Sequence, residues 1–520
     1  MRVKHSVLNI STGLGSQLII TLLSFFSRTV FINSLGIEYL GVNGLFTNIL
    51  AMLSLAEVGI GSSIVYSLYK PVAENDKEKI KALMKLYKKA YLVIALVILV
   101  LGLAMMPFLN YFVKDTSVDQ IYLIYLIFLI NTVAPYFFQH KSSFLNVCQK
   151  SYIITGLFSV SAIVSTSLKI WILNTTQNYI LYLIVESLIT IINSVILSVI
   201  VDRMYPFLKE KLVATLDAVV KKDIIKNVKA IMLQNIGTYL IFGTDNIIIS
   251  SFVSVTAVGL YSNYNMLIDI CRTFINQVFN NIYHSIGNLV ANENKEKIYS
   301  LFKVYWLLNF WLYSLFSIFL YIIIEPFISL WIGSSFIMGK TILVVLMITF
   351  YERGMRNAIT TLKTTAGIFH EDRYVPLYQA AINLGFSIWL VHKLGLPGVF
   401  IGTLISAIAV PFWTTPYYVY KKVFHKPLLR YFVRYGYFAA VGLGTCLVTS
   451  VLCNMIAADH LVYLLLKALV GIVLPNVIYV IMFYRTDEFK YLFGVFLTIV
   501  GNFQKRIKRM QRRDLSGDVQ

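Results

Sequence analysis

Long apolar runs alternate with short polar breaks from one end of the chain to the other. The first run covers residues 8–35, the chain turns at residues 36–41, and a second run leads from Val42 to Tyr69 before Lys70-Pro71. Further runs fall at about 90–112, 121–139, 152–173 and 179–201. After a hydrophilic stretch they resume at about 230–252, 257–290, 304–325, 340–366, 375–392 and 398–420, with a last pair at 434–456 and 461–484. About 20 apolar residues in helical form cross the hydrocarbon region, where the backbone must satisfy its own hydrogen bonds. The pattern therefore predicts an all-α polytopic membrane protein with about fourteen transmembrane helices.

Two polar stretches break that rhythm. In residues 202–229, Leu212, Leu216, Val219 and Val220 are spaced to line one side of a helix among many lysines, as in a helix lying on a membrane surface. Residues 485–520 repeat the pattern with Phe489, Phe493 and Phe496, ending in Lys505, Arg506, Lys508, Arg509, Arg512 and Arg513, which suits an anionic leaflet. The expected organisation is a six-helix lobe over 1–201, an amphipathic linker over 202–229 and a second six-helix lobe over 230–420. A helix pair over 421–484 and a basic amphipathic tail over 485–520 complete it.

Charge sets the orientation. The net charge is +20, yet the cations fall in alternate loops rather than in one patch, so a nucleic-acid partner is not expected. Roughly 35 Lys and Arg residues lie on the side that holds both termini and about three on the other, which makes the rich side cytoplasmic by the positive-inside rule. The first span is expected to act as its own signal-anchor. Cys148, Cys271, Cys446 and Cys453 show no ligand spacing and read as small packing residues. No Walker loop, dinucleotide fingerprint, paired-His metal motif or Ser-His-Asp set is present, so no enzymatic activity and no metal are expected.

Chemistry then rests on charges inside the spans, where each costs roughly 2.5–3.5 kcal/mol to insert. Arg28 has two readings: its stem lifts the guanidinium to the headgroups, or it faces a cavity with other buried charges. Asp269 with Arg272 and Glu352 with Arg356 are spaced to neutralise each other on one helix, and Lys169 and Lys467 lie near helix ends where snorkelling is expected. Arg28, Arg272, Arg353 and Arg356 remain as candidate binders of an anion, because guanidinium offers a planar fork of donors matching phosphate oxygens. Glu57, Glu186 and Asp245 are candidate cavity acids or coupling sites for a proton or sodium ion.

The chain also matches itself. Gly44-Leu45-Phe46-Thr47-Asn48 reappears as Gly259-Leu260-Tyr261-Ser262-Asn263 at the corresponding place in the second half. Six intervening spans preserve orientation, so the halves read as parallel repeats, with substrate bound near mid-membrane.

These residues carry a resemblance. Arg28 with residues 41–46 (Gly41-Val42-Asn43-Gly44-Leu45-Phe46) and 56–61 (Ala56-Glu57-Val58-Gly59-Ile60-Gly61) resembles the opening of the polysaccharide-transporter, Wzx-type flippases. So do Asp245-Asn246-Ile247-Ile248-Ile249 and Trp331-Ile332-Gly333-Ser334-Ser335-Phe336. That family belongs to the MOP (MATE-like) exporter superfamily. The resemblance implies two six-helix lobes around a central cavity plus two C-terminal helices, in a bacterial cytoplasmic membrane with both termini cytoplasmic. It implies a flippase carrying an undecaprenyl-pyrophosphate-linked oligosaccharide to the outer leaflet by alternating access, with polysaccharide assembly proteins as further partners. By position, Arg28 and Asp245 match charges of the family's first and seventh helices. A drug/cation antiporter and a lipid II flippase are the alternatives within the superfamily. A membrane polymerase or glycosyltransferase fits less well, because the outer segments are short.

Overall fold

The computed structural model describes residues 2–57, 60–113, 116–210, 239–240, 243–368, 371–456, 460–495 and 497. The expected linker beyond residue 210, most of the seventh span and the basic tail beyond 497 lie outside them. The described residues are helical throughout, with no strand among them.

The main helices are α1 (Arg2–Leu35), α2 (Ile37–Leu53), α3 (Ile60–Glu74), α4 (Lys77–Met105), α5 (Ile121–Val133) and α6 (Tyr136–Val147). They continue as α7 (Ser151–Thr176), α8 (Tyr179–Met204), α9 (Asp245–Phe252), α10 (Val255–Asn292), α11 (Lys295–Trp331) and α12 (Lys340–Thr365). The last are α13 (Val375–Leu394), α14 (Leu396–Ala409), α15 (Pro411–Val419), α16 (Leu429–Asn454) and α17 (Leu461–Phe483). Among the described residues eight helical stretches are long and apolar enough to cross a membrane, and a bent pair makes a ninth. The protein is thus a multi-pass membrane protein, and fourteen spans is an approximate count. The helices α10 and α12 are long enough but break up their apolar faces with Asn, Thr and charged residues.

Three boundaries differ from expectation, each for a local reason. The turn after α1 is a single residue, Gly36, whose φ of 90° lets the axis swing by 119° into α2. The second span is not continuous: a 3₁₀ turn at Ser54–Glu57 separates α2 from α3, and Glu57 sits in that break. The basic segment 73–89 is helix except for a turn at residues 75–76, where α3 ends and α4 begins. Asp76 caps α4 through Lys79 N–H at 3.0 Å, and Ile80, Leu83, Met84 and Tyr87 bury one face at helical spacing.

By contact the chain divides into two compact units: residues 1–265 with 376–406, and residues 266–375 with 407–520. This is a division by packing, whereas the lobes above are a division by repeat. Within the first unit, α2 and α10 cross at glycines. A Cβ on Gly41 would strike the Val255 carbonyl, and one on Gly259 would strike the Ile37 carbonyl. Within the second unit, aromatic rings fill the space between α11, α16 and α17. Trp306 stacks on Tyr431 at 4.6 Å, and Phe310 on Phe438 at 4.6 Å.

Candidate functional site

In the first unit, Arg28 lies three residues before Phe31, and Phe31 packs edge-on against Tyr179 and Tyr182 of α8 at 5.7 and 5.4 Å. One turn of α1 therefore points Arg28 to the same side. Its Nη1 donates to Oδ1 of Asn263 on α10 at 3.2 Å, and Asn263 is fully buried. A guanidinium held by a buried amide is turned into the bundle, not lifted along its stem toward a helix end.

A second cation stands nearby. Lys169 of α7 lies 4.7 Å from the Tyr182 ring centre and 3.4 Å from the Glu186 carboxylate, with its side chain 13% exposed. Tyr182 stands in the fields of Arg28, Lys169 and Glu186 together. The sequence reading set Lys169 aside as snorkelling, because position along a helix does not reveal which face meets a neighbouring helix.

Glu57 and Glu186 line one cavity of about 480 Å³. Asn43, Asn131, Ser187 and Tyr239 share its wall. Glu57 accepts from the Tyr91 hydroxyl at 2.9 Å. The residues of α2 that reach this cavity recur at helical spacing, so the turn at Ser54–Glu57 carries Glu57 onto the same side.

Asp245 opens α9 elsewhere in the unit and is buried. Thr403 Oγ1 donates to its Oδ1 at 3.1 Å, and Asn383 Nδ2 donates to Thr403 Oγ1 at 2.9 Å. The hairpin α13–α14 makes this network possible: a Cβ on Gly402 would collide with Ser387, so only glycine lets the two helices close. Asn383 Oδ1 is buried without a protein partner. Carboxylate, amide oxygen and hydroxyl form an all-oxygen donor set with one negative charge, which fits a proton or a monovalent hard cation better than a transition metal. Among the described residues no group of three or more His, Cys, Asp or Glu could hold a metal. The polar residues on otherwise apolar helices, Asn383 with Ser387 four apart and Thr403 with Ser406 three apart, were the available signal for this network.

In the second unit the three arginines separate. Arg272 of α10 bonds Asp269 at 2.5 Å, and both Arg272 and Arg353 act on Tyr313 of α11. Arg356 instead pairs with Glu352 at 2.6 Å, with side chains 12% and 5% exposed, beside Tyr431 and Tyr435 of α16. The i,i+3 and i,i+4 pairs expected from the sequence are present, and Lys363 is paired with Asp372.

Bent, broken and polar-lined helices of this kind define a membrane transporter, in which irregular backbone and buried charge serve a pathway rather than packing. The fold is shared with solved transporters. It is similar to the lipid II flippase MurJ in its inward closed conformation, with a TM-score of 0.64 and 15% identity over 93% of this chain and 99% of that one. An inward-facing MATE-family multidrug resistance transporter of the MOP superfamily matches with a TM-score of 0.57 and 15% identity, over 75% of this chain and 92% of that one. A mutant of the Vibrio cholerae MATE transporter VcmN matches with a TM-score of 0.57 and 16% identity, over 82% and 99%. No curated protein sequence matches the chain. Residues 6–283 match the family described as "Polysaccharide biosynthesis protein", and the chain belongs to that family.

Proposed function

We propose that this protein is a flippase moving an undecaprenyl-pyrophosphate-linked oligosaccharide from the inner to the outer leaflet of a bacterial cytoplasmic membrane. Its termini are cytoplasmic in this reading, and the cargo site opens to the two leaflets in turn. The observation that carries it is the inward-turned Arg28 with Lys169 close by, two cations inside a membrane protein of a polysaccharide-biosynthesis family. Guanidinium matches pyrophosphate oxygens in pairs, and ammonium adds a point charge. Arg272 and Arg353, grouped at Tyr313, are the corresponding donors of the second unit. Arg356 acts mainly through its buried pair with Glu352. Basic loops engage anionic lipids, and assembly proteins receive the flipped cargo.

A coupling ion, proton or sodium, is assigned to Asp245 with Asn383 and Thr403, whose oxygen donors are already gathered. Lipid II is the second reading, favoured by the likeness to MurJ over nearly the full length of both chains. Complementation decides between them. In cells whose surface polymer depends on this gene, Arg28→Ala at normal expression should abolish the polymer. If the gene instead rescues cells depleted of their lipid II flippase, the cargo is lipid II.

A further inference from the structure

The cavity bearing Glu57 and Glu186 is built unlike an ion site and unlike an anion site. Its volume of about 480 Å³ is that of a small-molecule pocket and far exceeds one cation. Its polar lining combines the Glu57 and Glu186 carboxylates with the amides of Asn43 and Asn131 and the hydroxyls of Thr47, Thr132 and Ser187. Asn131 Oδ1 and the Ser187 hydroxyl have no protein partner although their atoms are buried, and Ser187 is 7% exposed. Buried polar atoms in a membrane protein are costly unless something bonds them, and hydroxyls, which both donate and accept, answer carboxylate, amide and Ser187 alike.

Charge narrows the choice. Glu186 is offset by Lys169, whereas Glu57, on the same wall, is bonded by the neutral phenols of Tyr91 and Tyr136. One net charge amid amides, hydroxyls and the rings of Phe128 and Tyr239 suits a neutral polyol, whose hydroxyls donate to carboxylates and whose apolar faces rest on rings. The cavity is also joined to the cation pair: Glu186 forms part of its wall and bonds Lys169, which lies on Tyr182 beside Arg28.

We propose that this cavity is the saccharide site, taking the first hydroxyl-rich sugars next to the pyrophosphate held at Arg28 and Lys169. The inference rests on the flippase reading. Glu57 and Asn131 set saccharide recognition, and the cations set lipid-pyrophosphate recognition, so the two halves of the cargo are read by separate side chains.

The test measures binding to the purified full-length protein in nanodiscs of two probes, undecaprenyl pyrophosphate alone and the same lipid bearing a hexosamine disaccharide. Wild type should prefer the glycosylated lipid. Glu57→Ala and Asn131→Ala, on different elements so that a folding defect in one does not decide the matter, should lose roughly tenfold and about threefold of that preference, the weights of one hydrogen bond to a charged and to a neutral group. Binding of the bare lipid should stay unchanged. Both variants binding both probes at the wild-type ratio would overturn the saccharide site while leaving the flippase reading intact. Binding of neither probe by wild type would overturn that reading and this inference together.

Discussion

Arg28 and Asn263 stand 235 positions apart, and the guanidinium of one donates to the amide oxygen of the other at 3.2 Å. In the other direction, the Tyr239 hydroxyl donates to the backbone carbonyl of Asn48 at 2.5 Å. Asn48 and Asn263 end the two matching segments of the internal repeat. Each half thus accepts a bond from the other at the end of its repeat segment, through the side chain of Asn263 and the main chain of Asn48, and the matched segments meet where α2 and α10 cross. The two copies of the repeat pack on each other.

That crossing predicts a sharp cost for added bulk. Gly259→Val should place its side chain against the Ile37 carbonyl and lower stability by about 1–3 kcal/mol, the usual penalty for overpacking. Gly156→Val, whose added Cβ meets nothing, is the control. Thermal unfolding in detergent should show a lower midpoint for the first alone; equal midpoints would mean that the close approach carries no strain.

The architecture was legible because the period and length of apolar runs are imposed by the bilayer. The ends of α7, α8 and α12 fall within a few residues of expectation. The site was legible in residue type but not in company. Arg28, Glu57 and Asp245 stand out as charges in apolar runs, whereas the pairing of Lys169 with Glu186 depends on how α7 turns toward α8. The break at Ser54–Glu57 was hidden for a related reason: its four residues hold neither glycine nor proline, so nothing in that stretch announces a helix end.

The arginines of α12 should behave differently. Arg356→Met leaves the Glu352 carboxylate buried without its partner and should cost about 3–5 kcal/mol, and Glu352→Gln in the same chain should recover most of it. Arg353→Met should lower transfer strongly. Unfolding and transfer measured on the same preparations separate the two. Normal stability in Arg356→Met would disconnect that residue from the packing seen here.

Asp245→Asn keeps the shape of its network and removes the charge. Transfer by wild type should quicken under an imposed sodium or proton gradient, and the variant should respond to neither. An unchanged response in Asp245→Asn would move the coupling site elsewhere.

Glu488, beyond the last described span, gives a pH signature. Burial raises its carboxyl pKa, but its own backbone N–H together with Arg434 at 3.0 Å and Lys303 at 3.5 Å outweigh this and hold it below the ordinary value. Such a group stabilises the fold above the unfolded carboxylate range, around pH 4.3, and that contribution is lost as pH falls through the depressed value. Wild type should therefore lose stability on acidification more steeply than Glu488→Gln. Parallel acid limbs of the two stability curves would contradict the assignment.

The central claim is that cations inside the bundle carry a lipid pyrophosphate across the membrane. The most direct measurement follows a fluorescent polyprenyl-pyrophosphate oligosaccharide between leaflets of proteoliposomes, comparing wild type, Arg28→Lys and Arg28→Ala. Transfer should depend on the protein, fall roughly tenfold or more with lysine, which lacks the paired fork of donors, and vanish with alanine. Equal transfer by all three proteins, or protein-dependent efflux of an organic cation with no lipid transfer, would contradict it.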